Sequence, residues 1–278
     1  MRILPLVSLW VAAAVSSAAP LAGQQAPDER DIWRLSGLTT GFCVQFLIDP
    51  ASQAVRNLPA GYSLLSAAQT PDLHISLRSV TESQPEFGSW TPSSLCLYAV
   101  DSVHTAEFTL ADKSGRRPYL LGVWLVNAAD PSGHPTHVAL DLFTTTDRLV
   151  RAARRSGVAM HDARLTIGKV PAEDAEGRPS TDDRFQVRRG KTTVTWDGRP
   201  AGEETRVQAE MPVTWALEGG GGAEITGGLS LTPAVSRPMA GSLKVDGKDA
   251  LARALRESPT RFAGPEYRGG EATLWLKR

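Results

Sequence analysis

The residues most suited to chemistry lie in DRLVRAARRSG, residues 147–157. Helical spacing puts Arg148, Arg151 and Arg155 on one side, at i, i+3 and i+7, with Arg154 beside them and Gly157 as a stop. A guanidinium stays protonated and is a poor nucleophile. It can hold a carboxylate or phosphate through two parallel hydrogen bonds. Two readings stay open. The segment is an anion-binding face, or it is a solvated face with Leu149, Val150 and Ala153 turned inward. In the second reading the arginines are favoured by the negative end of the helix dipole.

Other candidates are weaker. DPSGHPTH sets His134 and His137 three apart with Asp130 nearby, ligand types that zinc accepts. The stretch is a Pro/Gly turn, however, and reads as a surface connection between strands. Glu82 and Glu86 could flank a pocket mouth with Trp90, but no partner base accompanies them. Trp124, Trp196, Trp215 and Trp275 fall in strand-like segments, where aromatics fill a core or line a cavity. No G-x-S-x-G, P-loop, dinucleotide fingerprint or H-E-x-x-H occurs. No metal or cofactor is expected.

The elements that must position these residues begin after an N-terminal leader. Arg2 precedes an apolar run from Ile3 to Val15, then small residues up to Ala19, then the polar PLAGQQAPDERD. That pattern is a secretory signal peptide, with cleavage near Ala19 or Gly23, and the expected location is periplasmic or secreted. No stretch approaches the roughly 18 apolar residues of a spanning helix, so no transmembrane segment is expected. The formal net charge is zero, which argues against nucleic acid as a partner. Cys43 and Cys96 follow the leader and lack zinc spacing. An even pair in an oxidising compartment suggests a disulfide, although two thiols buried in adjacent strands remain the alternative.

Residues 1–23 are thus read as signal peptide, 24–36 as a flexible lead and 37–278 as one domain. GFCVQFLIDP alternates as a strand, and DPASQAVRNLPAGY reads as a short helix capped by Asp49, then a turn. PDLHISLRSVTES is ambiguous between helix and strand. Strands are expected around Cys96, in PYLLGVWLVNAA and in THVALDLFTT. RFQVRRGKTTVTWDGR reads as a pair of strands turning at Gly190, after a polar loop at PAEDAEGRPSTDD. The glycines 219–222 read as a flexible turn, GKDALARALRES as a helix and GGEATLWLKR as a closing strand. The fold class is mainly β, α+β: a single-domain, strongly twisted antiparallel sheet or cone-like barrel with two or three short helices.

Four stretches together resemble the acetoacetate decarboxylase-like superfamily: VQFLIDPASQAVRNLPAGY, the strand pair PYLLGVWLVNA and HVALDLFTTT, RLVRAARRSG, and RFQVRRGKTTVTWDGR. The resemblance spans roughly residues 40 to 245. It implies a cone-shaped barrel around an apolar cavity, often in a homo-oligomer, and in the decarboxylases a Schiff-base lysine activated by desolvation and a cationic neighbour. Acetoacetate decarboxylase is itself the standard example of such a lysine. At the matching positions this chain has Arg154 and Arg155. Leu47 stands where the family has an arginine, and SLCLYAV holds no equivalent of its glutamates. Decarboxylase chemistry is therefore not expected. The expected function is an exported protein that binds a small apolar or anionic organic molecule. Tyr98 and Trp124 would line its cavity, and Arg151, Arg154 and Arg155 would supply counter-charge. An enzyme acting on a small organic acid, or a cell-envelope interaction protein, are the alternatives.

Overall fold

The computed structural model describes residues 33–70, 73–105, 108–111, 119–215, 225–264, 266–268 and 272–277. The leader and the glycines 219–222 lie outside these residues. The described strands are β1 (Trp33–Ile48), β2 (Ser63–Leu64), β3 (Thr91–His104), β4 (Thr109–Ala111), β5 (Tyr119–Ala129), β6 (Pro135–Thr144), β7 (His161–Asp162) and β8 (Arg164–Glu173), then β9 (Pro179–Arg189), β10 (Thr192–Pro200), β11 (Thr205–Trp215), β12 (Ile225–Arg237), β13 (Met239–Asp246), β14 (Arg261–Ala263), β15 (Glu266–Arg268) and β16 (Ala272–Lys277). Three helices interrupt them: α1 (Ile75–Ser83), α2 (Asp147–Arg155) and α3 (Ala250–Glu257). The chain is mainly β and a single domain, as the sequence predicts.

β1 is the seam of the first sheet. It pairs antiparallel with β3 along one side, and with β16, β15 and β14 in turn along the other. From β3 the pairing runs through β5, β6, β11 and β12, and returns to β1 through β15 and β16. The sheet thus curls back onto its own first strand. A register shift between Leu38 and Thr40, next to Gly37 at φ +76°, bends β1 for this. A second sheet, in the order β13-β10-β9-β8, lies over the outside of the first.

Strand alternation divides the core in two. On the inner face, Cys96, Tyr98 and Val100 of β3 and Leu121, Val123 and Leu125 of β5 meet Leu149, Val150 and Ala153 of α2. On the outer face, Phe42, Val44 and Phe46 of β1, Leu95 and Leu97 of β3 and Trp124 of β5 meet the second sheet's Phe185, Val187, Val194 and Trp196, together with Leu251 and Leu255 of α3. Polar residues also bridge the sheets. Glu266, 1% exposed, accepts hydrogen bonds from Thr40 Oγ1 at 2.7 Å, Arg237 Nε at 2.5 Å and Arg268 Nε at 2.9 Å. Arg237 reaches Asp183 of β9 at 3.5 Å, and Lys169 of β8 reaches the same carboxylate at 2.5 Å.

Several elements differ from the sequence reading. β1 starts at Trp33, within the segment read as a lead. The helix expected after Pro50 is one 3-10 turn, Gln53–Val55, capped by Ser52, while the Asp49 side chain accepts from the Ala51 amide. PDLHISLRSVTES resolves as α1. The loop expected at PAEDAEGRPSTDD is mostly strand. β8 and β9 extend to Glu173 and Pro179, and the turn needs only Asp174, which accepts from the Glu176 and Arg178 amides, and Gly177 at φ +77°.

Candidate functional site

α2 stands on the sheet with Leu149, Val150, Ala152 and Ala153 buried and Arg148, Arg151, Arg154 and Arg155 exposed. Its end is closed by Gly157 at φ +79° and by the Val158 amide donating to the Ala153 carbonyl at 2.9 Å. Arg154 Nε donates to the Met160 carbonyl at 3.2 Å, which ties the helix to the segment after it. Arg148 lies over the Phe108 ring at 4.1 Å. Tyr98 is buried on the inner face near Cys43 and Tyr267, and burial, then the neighbouring Tyr267, push its hydroxyl pKa far up. Trp124 is buried on the outer face, and its Nε1 donates to Ser93 Oγ at 2.9 Å. Tyr98 and Trp124 therefore sit on opposite faces of one sheet and do not share a cavity.

The other sequence candidates have structural partners. Asp130 accepts from the Ser132 and His134 amides at 2.8 Å each and so builds the β5–β6 turn. His137 Nδ1 lies 3.3 Å from the Pro212 carbonyl across the β6–β11 pairing. Glu82 and Glu86 are exposed, and Trp90 packs edge-on to Phe87 at 5.0 Å. The side chains of Trp215 and Trp275 lie outside the described ones. Cys43 and Cys96 form the disulfide, as cross-strand partners on β1 and β3.

A cavity of about 590 Å³ lies elsewhere, where the end strands of the two sheets approach each other. β14 is the last strand of the first sheet and β13 the last of the second. β14 contributes Arg261, Phe262 and Ala263, and β13 contributes Met239, Ala240, Gly241 and Leu243. Val44 and Trp196 come from the core behind them, and Thr205, Ser236, Pro238 and Glu203 also line the cavity. His74 and Ser76, at the start of α1, line it too. The lining mixes apolar residues with His74, Ser76, Glu203, Thr205, Ser236 and Arg261, and its size is that of a small-molecule site.

Local structure explains the placement of the rings. Trp196 packs against Phe42 at 4.5 Å and Phe185 at 5.7 Å, and its six-membered edge lies over Gly198 and Gly241, where no side chain could fit. His74 caps α1 and stacks on Phe262 at 4.4 Å. Its Nδ1 accepts from the Ser76 amide at 3.2 Å, so the neutral ring carries its proton on Nε2. Burial holds the His74 pKa below the usual histidine value, which keeps it neutral near pH 7. No described carboxylate orients His74, and no described lysine or cysteine lines the cavity. The arrangement can bind, orient and donate hydrogen bonds. It offers no amine for a Schiff base and no assembled nucleophile–base pair.

Of the residues singled out in the sequence, only Trp196 lines this cavity. His74, Arg261 and Glu203 come from three distant segments, and no local motif ties them together.

No family model and no curated protein matches the chain. Among solved structures it is similar to the enduracididine biosynthesis enzyme MppR complexed with pyruvate, at 12% identity over 92% of this chain and 91% of that one, with TM-score 0.48. It is similar to the same enzyme with HEPES buffer bound, at 13% identity over 97% of each chain, with TM-score 0.48. It is also similar to an acetoacetate decarboxylase-like enzyme from Sphingomonas wittichii RW1, at 7% identity over 89% of this chain and 91% of that one, with TM-score 0.45.

Proposed function

We propose that this chain is an exported small-molecule-binding protein, a relative of the acetoacetate decarboxylase-like enzymes that does not use a Schiff base. Its ligand is a small apolar or anionic organic molecule held between the two sheets. The observation that carries this reading is the cavity of about 590 Å³, walled by Trp196, Phe262, Met239 and Leu243 with Arg261 and His74 among them. Arg154 and Arg155, where the resemblance places the lysine pair, cannot serve as amine nucleophiles. The apolar leader Ile3–Val15 supports export.

Native mass spectrometry of protein purified from the exported fraction tests the reading. The expected result is a chain cleaved near Ala19 or Gly23 that carries an organic species lost on denaturation. Ala263→Trp, which adds an indole to the cavity wall beside its cross-strand partner Val44, should release that species. Retention by the filled variant would remove the cavity as the binding site, and an uncleaved chain confined to the cytoplasm would end the export reading.

A further inference from the structure

Arg261 and Glu203 both line the cavity, yet they form no ion pair with each other. Among the described residues neither side chain has a hydrogen-bond or ion-pair partner. They come from different parts of the fold, Arg261 from the end strand of the first sheet and Glu203 from the connection between β10 and β11. Elsewhere this protein neutralises charges lying at the junction of its sheets. Glu266 takes Arg237 and Arg268, and Asp183 takes Lys169 and Arg237. Two opposite charges left unpaired on the lining of one cavity are complementary to a ligand that carries both charges itself.

We propose that the ligand is amphoteric, with a carboxylate facing Arg261 and an ammonium facing Glu203 across a flat apolar middle. This rests on the cavity being the binding site and adds the ligand's class. A guanidinium meets a carboxylate through two parallel N–H bonds. The Nε2–H of neutral His74 donates a further hydrogen bond without adding charge. Phe262, stacked on His74, and Trp196 each line the cavity and offer apolar surface to the ligand. A simple anion would leave Glu203 repelling it, and a simple amine would leave Arg261 doing so.

Titration calorimetry of the mature protein with three probes tests this: para-aminomethylbenzoate, para-methylbenzoate, which lacks the ammonium, and benzylamine, which lacks the carboxylate. The amphoteric probe should bind tightest, and loss of either charge should weaken binding about tenfold, as for one charge-assisted hydrogen bond. Arg261→Gln should bring para-aminomethylbenzoate down to benzylamine, and Glu203→Gln should bring it down to para-methylbenzoate. Both residues are exposed, so both variants should keep the wild-type circular dichroism spectrum. Undetectable binding of the amphoteric probe overturns the proposal, as does equal binding of para-methylbenzoate. The Ala263→Trp variant separates the two failures. Probe binding that survives it overturns the cavity itself. Probe binding lost there but indifferent to both charge variants overturns only the amphoteric ligand.

Discussion

Gly198 of β10 and Gly241 of β13 are cross-strand partners, and the edge of the Trp196 indole packs against both. A Cβ on Gly241 would lie 2.5 Å from Trp196 Cζ2 and would also collide with the Asp197 carbonyl. Gly241→Ala must therefore push the indole or part the strands. Overpacking of this kind costs about 1–3 kcal/mol. The urea midpoint should fall and tryptophan fluorescence should shift as the cavity wall moves. Gly168→Ala on β8, where nothing lies within 4 Å of a new Cβ, should change stability by less than about 0.5 kcal/mol. Equal midpoints for the two variants would refute the slot.

Acid should loosen the contact between the sheets through Glu266. Burial alone would raise its pKa, but the hydrogen bonds from Thr40, Arg237 and Arg268 outweigh this and hold it below the usual glutamate value. A carboxyl group with a lowered folded pKa contributes stability that is fully present above the unfolded value of about 4.3. That stability is lost as pH falls through the lower folded value. Melting temperature should therefore drop steeply between about pH 5 and pH 3. Glu266→Gln leaves Arg237 and Arg268 without their carboxylate and should cost about 3–5 kcal/mol at neutral pH. Its melting temperature should then depend less on pH over the acid range. An unchanged acid slope in the variant would move the sensitivity to other carboxylates.

Period-two alternation made β1 legible in the sequence, and the near-continuous apolar run Tyr119–Val126 made β5 legible, because β5 is buried on both faces. α2 and α3 were legible from their caps and apolar stripes. The β8–β9 turn was not, because a polar Pro/Gly stretch reads as loop whether or not its backbone pairs. Asp174 and Gly177 make a tight turn and leave the rest as strand. The candidate site was hidden for a different reason. Its wall forms where the ends of two sheets meet, so Arg261, His74 and Glu203 are brought together by topology and not by spacing. The arginines of α2 drew attention because they are close in sequence, which is also what a solvated helix face produces.

That contrast gives a direct comparison between the two arginine sites. Arg154→Ala removes one hydrogen bond to the Met160 carbonyl and should cost about 1 kcal/mol of stability. Arg151→Ala should cost less, since Arg151 is exposed on a formed helix. Neither should alter retention of a ligand in the cavity, while Arg261→Gln should weaken it. The opposite pattern, with binding lost in the α2 variants and kept in Arg261→Gln, would return the ligand to α2. Equilibrium dialysis of each variant against the species identified by mass spectrometry reads this out.

The Cys43–Cys96 disulfide closes a separation of 53 residues between two strands that are already hydrogen-bonded neighbours. The folded sheet does not need the bond to hold its register. The bond acts on the unfolded chain, whose loop entropy it reduces by about 4 kcal/mol in the chain-entropy model. Reduction should therefore leave the circular dichroism spectrum of the native protein unchanged and lower its urea midpoint. The double variant Cys43→Ala/Cys96→Ala should show the same fall, with a further small loss because Cys96 is buried in the core. A reduced protein that keeps the oxidised midpoint would mean that the unfolded state already holds β1 against β3. A reduced protein that loses its native spectrum would mean that the bond carries the register after all.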